Sequence, residues 1–477
     1  MIHKPISIKN LSLSFPHKTC FEDFNTQISY GSRVAIIGHN GSGKSTLLKV
    51  LQGMVEATSG YIKVPGDVTF GYVPQVIENF DSLSGGQRLN KAVTQAISLD
   101  PNVLLLDEPT NHLDRNNRKS LIRMLYTYPG TLIVVSHDTE LLRNCIDILW
   151  HIDHGKIHVF SGNYDDYTRE IRIKRTSIEQ ELSRLNFQRK DMHRALMKEQ
   201  QRAAKSKMKG QKSIDQRKWP TVLSKSKAFR AEETSGRKKL AIDHKKYELS
   251  KQLSNLRLPE IIVPKFSLNS SEIGNYTLIS ISNGTIGYQI EQNILKDITL
   301  SLSSKDRIAI TGNNGSGKST LVKAILADQK VIKTGHWHIP KQEDIGYLDQ
   351  HYETPSPEKS VLEFMLELVP SWSHAEVRKH LNDFLFRKNE EVNALISQLS
   401  GGEKARLSLA KIAAKTPKLL ILDEITNNLD FETKAHVTKV LKEYPGAMII
   451  ISHDEDLLRE IEICDTYTIK DCNIMYN

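Results

Sequence analysis

The chain has 477 residues, of which 39% are hydrophobic, and its 65 Lys and Arg against 56 Asp and Glu give a net charge of +9. At roughly 100–200 residues per domain, this length predicts two or three globular domains, and the apolar fraction excludes a wholly disordered chain. The 4 cysteines form no CxxC pair, so the sequence indicates neither a disulfide framework nor a structural zinc or iron–sulfur site.

Membrane insertion and secretion are both disfavoured. The sequence has no apolar run of about 18 residues, the length that spans a bilayer as a helix. Residues 1–10 lack the basic segment followed by roughly 7–15 apolar residues that marks a secretory leader. We therefore expect a protein without a membrane segment in the reducing cytoplasm.

The first chemical motif along the chain is the glycine-rich run GHNGSGKST at residues 38–46, which follows an apolar strand-like segment and opens a helical pattern. This order is the context of a phosphate-binding loop. Backbone N–H groups converge on phosphate oxygens, Lys44 adds positive charge, and the hydroxyl of Ser45 suits Mg²⁺. The sequence thus predicts a nucleotide site whose loop residues are Gly38, Asn40, Gly41, Gly43, Lys44, Ser45 and Thr46.

Two carboxylates and a histidine follow the next apolar segments. Asp107 ends an apolar run and is predicted to bind the magnesium, directly or through water. Glu108 stands one residue on, where a carboxylate can orient or deprotonate the attacking water. His137 lies 29 residues after Glu108, directly after another strand-like run, where an imidazole can contact a γ-phosphate. We predict Glu108 and His137 as catalytic residues.

Residues 169–257 have a different composition. They hold 26 Lys and Arg against 10 Asp and Glu, a net charge of +16 that leaves −7 for the rest of the chain. Their apolar residues recur at heptad-like spacing in two stretches, which predicts two antiparallel helices packed along a shared stripe. Residues 203–221 lose this periodicity and contain Gly210 and Pro220, so we predict the turn of a helical hairpin there.

The second half of the chain repeats the motifs of the first half in the same order. GNNGSGKST at residues 312–320 repeats residues 38–46, and LSGGE at residues 399–403 repeats LSGGQ at residues 83–87. Two such series make a chance match remote. The equivalent loop residues are Gly312, Asn314, Gly315, Gly317, Lys318, Ser319 and Thr320, the equivalent magnesium ligands are Ser319 and Asp423, and the equivalent catalytic residues are Glu424 and His453.

An aromatic residue precedes each loop at a similar distance. Phe15 lies 23 residues before Gly38, and Tyr288 lies 24 residues before Gly312. Both rings can stack on adenine, and the alternative is a strand aromatic buried in the core.

The halves differ in length at one place. Only 7 residues separate Gln75 from the LSGGQ motif, whereas 48 separate Gln350 from LSGGE. Seven residues cannot form a helical subdomain of ordinary size, so we expect one in the second half alone.

These motifs, in this order and twice over, resemble the ATP-binding cassette superfamily. The resemblance implies an α/β chain of two phosphate-loop ATPase domains, at residues 1–163 and 263–477, joined by a basic helical hairpin at residues 164–262. It implies that Gln75 and Gln350 contact ATP and magnesium, and that a monomer sandwiches ATP head to tail between its own cassettes. Ser400 and Gly402 would then complete the site of Lys44, and Ser84 and Gly86 that of Lys318.

The basic hairpin and the segment GNYDDY at residues 162–167 are similar to the F subfamily of soluble twin-cassette ATPases. That resemblance implies a ribosome partner, with the hairpin in the tRNA exit site, near the peptidyl-transferase centre and peptidyl-site tRNA. A strongly positive hairpin suits RNA phosphates, although a basic run is more often a solvated face. At the tip, the candidate phosphate contacts are Lys205, Lys207, Lys209, Lys212, Arg217 and Lys218, and the candidate stacking residues are Trp219 and Phe229.

Several functions share these motifs. The compact first cassette favours an antibiotic-resistance factor that protects the ribosome, and a housekeeping translation factor is the alternative. An ATPase subunit of a membrane transporter is less favoured, because it does not need this hairpin and its partners usually dock in the region that is short after Gln75. A DNA-repair ATPase is also less favoured, because family members of that kind normally carry zinc cysteines or much longer coiled coils. The second half differs from the first at the residue after the catalytic glutamate. Ile425 stands where the first half has Pro109, and because proline fixes φ, we expect a looser turn after Glu424.

Overall fold

The structure is a computed structural model that describes residues 3–16, 18–77, 85–111, 113–215, 241, 244, 248, 262, 264, 266, 276–289, 292–350, 352, 356–426 and 429–476. The chain divides into two compact units. One combines Met1–Asp165 with Ile261–Asn477, and the other is Asp166–Glu260.

The first half contains two sheets. The smaller is antiparallel in the order β2-β1-β4, and the larger has the order β5-β6-β7-β3-β8-β9, in which only β9 is antiparallel to its neighbour. The strands are β1 Ile6–Phe15, β2 Lys18–Ile28, β3 Arg33–Gly38, β4 Ser59–Lys63, β5 Phe70–Val73, β6 Val103–Asp107, β7 Thr131–Val135, β8 Ile148–Asp153 and β9 Lys156–Ser161. Strands β6 and β7 are buried along their whole length, as their unbroken apolar sequences require of parallel strands covered on both faces.

Four helices connect these strands, namely α1 Lys44–Leu51, α2 Gly85–Ser98, α3 Arg115–Thr127 and α4 Thr139–Cys145. Carboxylates cap two of them, because Asp114 accepts the N–H of Asn117 at 2.8 Å and Asp138 accepts that of Glu140 at 2.9 Å. The core lies between the small sheet, α1 and one face of the large sheet. This packing holds the carboxyl ends of β3, β6 and β7 at one edge, where the predicted site residues follow.

The second half repeats this plan, with sheets in the orders β11-β10-β13 and β14-β15-β16-β12-β17-β18. Its strands are β10 Thr277–Gln289, β11 Gln292–Ser303, β12 Arg307–Gly312, β13 Ile332–His338, β14 Ile345–Leu348, β15 Leu419–Asp423, β16 Ala447–Ile451, β17 Asp465–Lys470 and β18 Asn473–Tyr476. Its helices are α6 Lys318–Ile325, α7 Val361–Leu368, α8 His374–Asp383, α9 Asn389–Asn393, α10 Gly401–Lys415, α11 Phe431–Glu443 and α12 Glu455–Glu460. The predicted α/β fold with two phosphate-loop domains is confirmed.

Helices α7, α8 and α9 occupy the longer interval that the sequence places in the second half. Capping boxes fix the start of α7 at Ser360 and of α8 at Ser373. Their apolar faces join a core around Phe384 and Met365, both fully buried. In the first half, β5 ends at Val73 and α2 already begins at Gly85.

A single helix, α5 Tyr164–Asp215, leads out of the first half and is 52 residues long. At about 1.5 Å per residue it extends roughly 80 Å. Of the predicted apolar stripe, Leu182 is half-buried and Leu185 is buried. The predicted turn at residues 203–221 is wrong in its first part, because the helix continues through Gly210 to Asp215. The rest of that turn and most of the predicted return helix lie outside the described residues. Among the helices that the structure describes, none has the length and apolar character that a membrane span requires.

Candidate nucleotide sites

The first site is built around the loop between β3 and α1. Gly38 and Gly43 have φ angles of +150° and +102°, which side chains disfavour, and a Cβ on Gly43 would lie 3.0 Å from that of Cys20. Lys44 Nζ donates to the carbonyl oxygens of Gly38 at 2.8 Å and His39 at 3.2 Å. The lysine therefore lies across the concave side of the loop, where a phosphate group would be bound.

A cavity of about 410 Å³ opens beside this loop. Phe15 lines it and is 48% exposed, so its alternative as a core aromatic is wrong. Its described lining contains ten predicted site residues and four unpredicted ones, Lys18, Cys20, Asn111 and Val135. The ten predicted residues are Phe15, Asn40, Gly41, Gly43, Lys44, Ser45, Thr46, Gln75, Glu108 and His137.

The predicted magnesium ligands of this site lie together. Ser45 Oγ donates to Asp107 Oδ1 at 3.1 Å, and Gln75 faces the same cavity. Burial raises the pKa of Asp107, and the hydrogen bond from Ser45 and the charge of Lys44 oppose that rise. A hydroxyl, a carboxylate and an amide oxygen are hard oxygen donors of the kind that Mg²⁺ prefers. The residues present therefore fit a magnesium ion.

Glu108 has a strained backbone and lies against His137. Its φ is +47°, and its N–H donates to Val135 O at 2.8 Å. Glu108 Oε1 lies 3.4 Å from His137 Nε2, and both side chains are 10% exposed. Such a conformation is unfavourable for a non-glycine residue, and functional sites are among the places where backbone strain of this kind is retained. The conformation directs the carboxylate at the imidazole and into the cavity.

Burial dominates the protonation of this pair. Desolvation raises the pKa of Glu108 to about 8, although the charge of Lys44 opposes the rise. Desolvation and the same lysine lower the pKa of His137 to about 3. Without nucleotide, the pair therefore favours a neutral imidazole beside a carboxyl group that readily holds a proton. Neither ring nitrogen of His137 has a hydrogen-bond partner among the described residues. Buried polar atoms of this kind suit a polar ligand.

The second site repeats the geometry of the first. Lys318 Nζ donates to Gly312 O at 2.8 Å and Asn313 O at 3.0 Å, and Gly317 has the same φ of +102° as Gly43. Burial raises the pKa of Asp423, and a hydrogen bond from Ser319 opposes the rise. Desolvation and the charge of Lys318 lower the pKa of His453 to about 4. Asn314, Gly315 and Thr320 occupy the equivalent loop positions, and Gln350 follows β14.

The turn after β15 does not differ as the sequence suggested. Glu424 has a φ of +51°, close to that of Glu108, and its N–H donates to Ile451 O at 2.9 Å. Ile425 is fully buried. The apolar side chain thus packs in the core, and the turn keeps the conformation of the first half. Tyr288 is 45% exposed near the end of β10, as Phe15 is at the end of β1.

The LSGG motifs lie at helix starts. Ser400 caps α10 in a capping box with Glu403. A Cβ on Gly402 would lie 3.0 Å from Thr433 Oγ1, and one on Gly86 would lie 3.2 Å from Asn117 Nδ2. Neither Ser400 nor Gly402 is among the described residues that line the cavity. Ser84 falls outside the described residues.

At the first site, Asp430 of the second half contacts the phosphate loop of the first half. The N–H of Asn40 in the first loop donates to Asp430 Oδ2 at 2.9 Å, and Asp430 also caps α11 through the N–H of Thr433 at 2.8 Å. In the second site, burial lowers the pKa of Lys318, and the charges of Glu424, Asp423 and Asp114 oppose this shift. Asp430 and Asp114 are not among the predicted site residues, although each ends a segment that recurs in both halves, NHLD at residues 111–114 and NNLD at residues 427–430.

Comparisons with known proteins agree with this geometry. The family model described as ABC transporter matches residues 21–71 and 295–427. The chain is 29% identical over 95% of its length to the ATP-binding protein Uup of Buchnera aphidicola, covering 79% of that protein. It is 33% identical over 81% of its length to the probable ATP-binding protein YheS of Haemophilus influenzae, covering 56% of it. The ribosome protection protein VmlR of Bacillus subtilis is 28% identical over 95% of this chain, which covers 85% of VmlR.

Proposed function

We propose that the chain is an F-type protein of the ATP-binding cassette superfamily, and that it is a cytoplasmic ATPase that binds the ribosome through the linker between its cassettes. The observation that carries the proposal is the linker itself. In the sequence it lies between the two cassettes and is strongly basic, and its described part is the long helix α5. We propose further that it enters the tRNA exit site, contacts ribosomal RNA and peptidyl-site tRNA, and protects the ribosome from antibiotics bound near the peptidyl-transferase centre.

The proposed hydrolysis uses this chain's own residues at each site. In the first site, Lys44 binds the phosphates, Glu108 orients the attacking water and accepts its proton, and His137 contacts the γ-phosphate. A magnesium ion held by Ser45, Asp107 and Gln75 would neutralise charge that develops on the phosphates. Lys318, Glu424 and His453 take these roles in the second site. Ser400 and Gly402, with Ser84 and Gly86 for the second site, close the two sites when the cassettes come together.

Exposed cations on α5 support the RNA part of the proposal. Lys205, Lys209 and Lys212 are exposed on the described part of the helix. Each phosphate that a lysine neutralises releases condensed counterions, so such a helix gains affinity for RNA at low salt. VmlR, which this chain resembles over nearly its whole length, is named a ribosome protection protein. Both observations favour the ribosome over a transporter partner.

Ribosome capture tests the proposal. The double variant Glu108→Gln, Glu424→Gln should bind ATP without hydrolysing it, remain closed and sediment with ribosomes through a sucrose cushion when ATP is present. The same protein should stay in the supernatant without nucleotide. Recovery that is equally low with and without ATP would count against a ribosome factor.

A charge-reversal variant identifies the binding element. Changing Lys205, Lys209 and Lys212 to glutamate in the same background should lower ribosome affinity by about tenfold or more and weaken its salt dependence. The matched control changes three exposed cassette lysines, Lys9, Lys63 and Lys305, to glutamate. If the control loses as much affinity as the helix variant, the linker is not the specific contact.

Drug susceptibility separates protection from a housekeeping role. Expression of the wild-type chain in a susceptible host should raise the inhibitory concentration of at least one drug class that binds the large ribosomal subunit. The double glutamine variant should not raise it. Ribosome capture without a change for any such class would instead favour a housekeeping translation factor.

A further inference from the structure

Three aromatic rings meet where the cassettes touch. Phe431, the first residue of α11, has its ring centroid 5.2 Å from that of His137, at an interplanar angle of 69°. The ring of Tyr164, the first residue of α5, lies 5.2 Å from Phe431 at 31°. Contacts at this separation are favourable beyond their buried area. Phe431 therefore joins the imidazole of the first site to the first turn of α5.

The backbone before Phe431 fixes where its ring lies. Asp430 accepts the N–H of Asn40 in the first phosphate loop and the N–H of Thr433 in its own helix. Because Phe431 follows Asp430 directly, the bond that joins the second cassette to the first loop also places the phenyl ring. The ring can reach His137 only while the two cassettes are together.

Packing has to orient His137, since hydrogen bonds do not. Within the part of the chain that the structure describes, neither imidazole nitrogen has a hydrogen-bond partner, and the nearest carboxylate oxygen, on Glu108, is 3.4 Å away. A buried ring without such bonds turns readily unless neighbouring side chains restrain it. Phe431 packs against the ring and supplies that restraint from the other cassette.

Tyr164 also contacts Arg143, which is bonded to a residue of the second cassette. Arg143 Cζ lies 5.9 Å from the centroid of the Tyr164 ring. The guanidinium group of Arg143 donates to Asp165 Oδ1 at 2.9 Å and to Asp456 Oδ2, in the second cassette, at 3.0 Å. The start of α5 is thus packed against groups from both cassettes.

The second site has a different residue at the equivalent position. Arg115 stands where Phe431 stands in the repeat and forms an ion pair with Glu455, with the two side chains 59% and 53% exposed. Exposed ion pairs of this kind contribute little to stability. The aromatic contact therefore distinguishes the first site from the second.

We propose that Phe431 is a positioning residue for hydrolysis at the first site, where its ring orients His137 and links it to Tyr164 at the start of α5. This inference rests on the proposed ATPase activity. It predicts that turnover at the first site depends on a side chain of the other cassette, and that the second site lacks this dependence.

Steady-state hydrolysis by the full chain tests it, with Glu424→Gln present so that only the first site turns over. Phe431→Ala should lower kcat about five- to tenfold and leave the KM for ATP within about twofold, because the ring orients a catalytic group and does not contribute to substrate binding. Phe431→Tyr keeps the ring and should retain at least half of kcat. Phe187→Ala removes a 63% exposed ring of α5 and should leave kcat unchanged.

The reciprocal background separates positioning from a general loss of closure. With Glu108→Gln present, only the second site turns over, and Phe431→Ala should leave its kcat unchanged. Equal losses in both backgrounds, or none in the first, would overturn the inference while the ATPase activity stands. If neither parent hydrolyses ATP, the proposed activity and this inference both fail. If the Phe431→Ala variant does not fold, Phe431→Leu takes its place. Leucine keeps most of the packing volume without the aromatic ring, so its kcat should lie between those of wild type and the value expected for alanine.

A double-mutant cycle tests the link to α5. In the Glu424→Gln background, Tyr164→Leu should lower kcat about two- to threefold, since Tyr164 reaches His137 only through Phe431. In the Phe431→Ala variant, Tyr164→Leu should cause no further loss of kcat, because the ring of Phe431, through which Tyr164 acts on His137, is already absent. Additive losses would overturn the link between Tyr164 and the site.

Discussion

Glu108→Gln combined with Glu424→Gln should lower ATP hydrolysis by about 10³-fold while ATP still binds. A positioned general base contributes about 10²–10⁴-fold, and glutamine keeps the shape of glutamate but cannot accept the proton. The left-handed backbone at both positions should persist, because the side chain that adopts it is nearly the same size. Single-turnover phosphate release measures hydrolysis, and equilibrium dialysis with labelled ATP measures binding.

The charges around Lys44 predict how the substitution of Glu108 changes the affinity for ATP. Lys44 is buried beside Glu108, Asp430 and Asp107, and burial lowers the pKa of Lys44 while these carboxylates raise it. Burial raises the pKa of Glu108 to about 8, and glutamine is neutral at every pH, so the substitution adds no negative charge that would repel a polyanion and ATP affinity should stay equal or increase. The exposed residue Glu443 provides the control, since Glu443→Gln should change neither the rate of ATP hydrolysis nor the affinity for ATP. Residual hydrolysis within tenfold of wild type would remove both glutamates from the catalytic role.

The parts of the fold that follow from local sequence were predictable. The glycine loops, the apolar strands before them and the acidic strand ends each depend on residues close in the chain, and Ser45 and Asp107 meet because parallel strands end at one edge of the sheet. The exposure of Phe15 was undecided, because a strand aromatic packs equally well inward or outward until the neighbouring layers are known.

Contacts between distant segments were not predictable from one sequence. Asn40 and Asp430 are 390 positions apart, and no periodicity relates Phe431 to His137 or Tyr164. The positive φ of Glu108 arises from the bond of its N–H to β7, a tertiary effect without a glycine to signal it. Helix α5 continues through Gly210, where the sequence predicted a turn, because one glycine destabilises a helix by only about 1 kcal/mol.

Without nucleotide, Glu108→Gln should stabilise the chain, and the gain should increase with pH. Burial raises the pKa of Glu108 to about 8, whereas an unfolded glutamate titrates near 4.3. Between these values the native state holds a proton that the unfolded chain has released, so native stability is greatest below the unfolded pKa and falls as the pH rises through the folded one. Glutamine does not titrate, so the variant does not lose stability through this group as the pH rises. At pH 8 the difference in unfolding free energy should be on the order of 3 kcal/mol in favour of the variant.

Thermal unfolding of both proteins from pH 5 to pH 8 measures this difference. Desolvation lowers the pKa of His137 to about 3, so the histidine contributes stability that grows from about pH 3 to its unfolded pKa. That contribution is common to both proteins and cancels in their difference. The midpoint of Glu108→Gln should therefore rise above that of wild type by an amount that increases steadily toward pH 8, while Glu443→Gln follows wild type throughout. A constant difference across this range would mean that Glu108 is already ionised in the native site from pH 5 to pH 8, which would contradict the raised pKa.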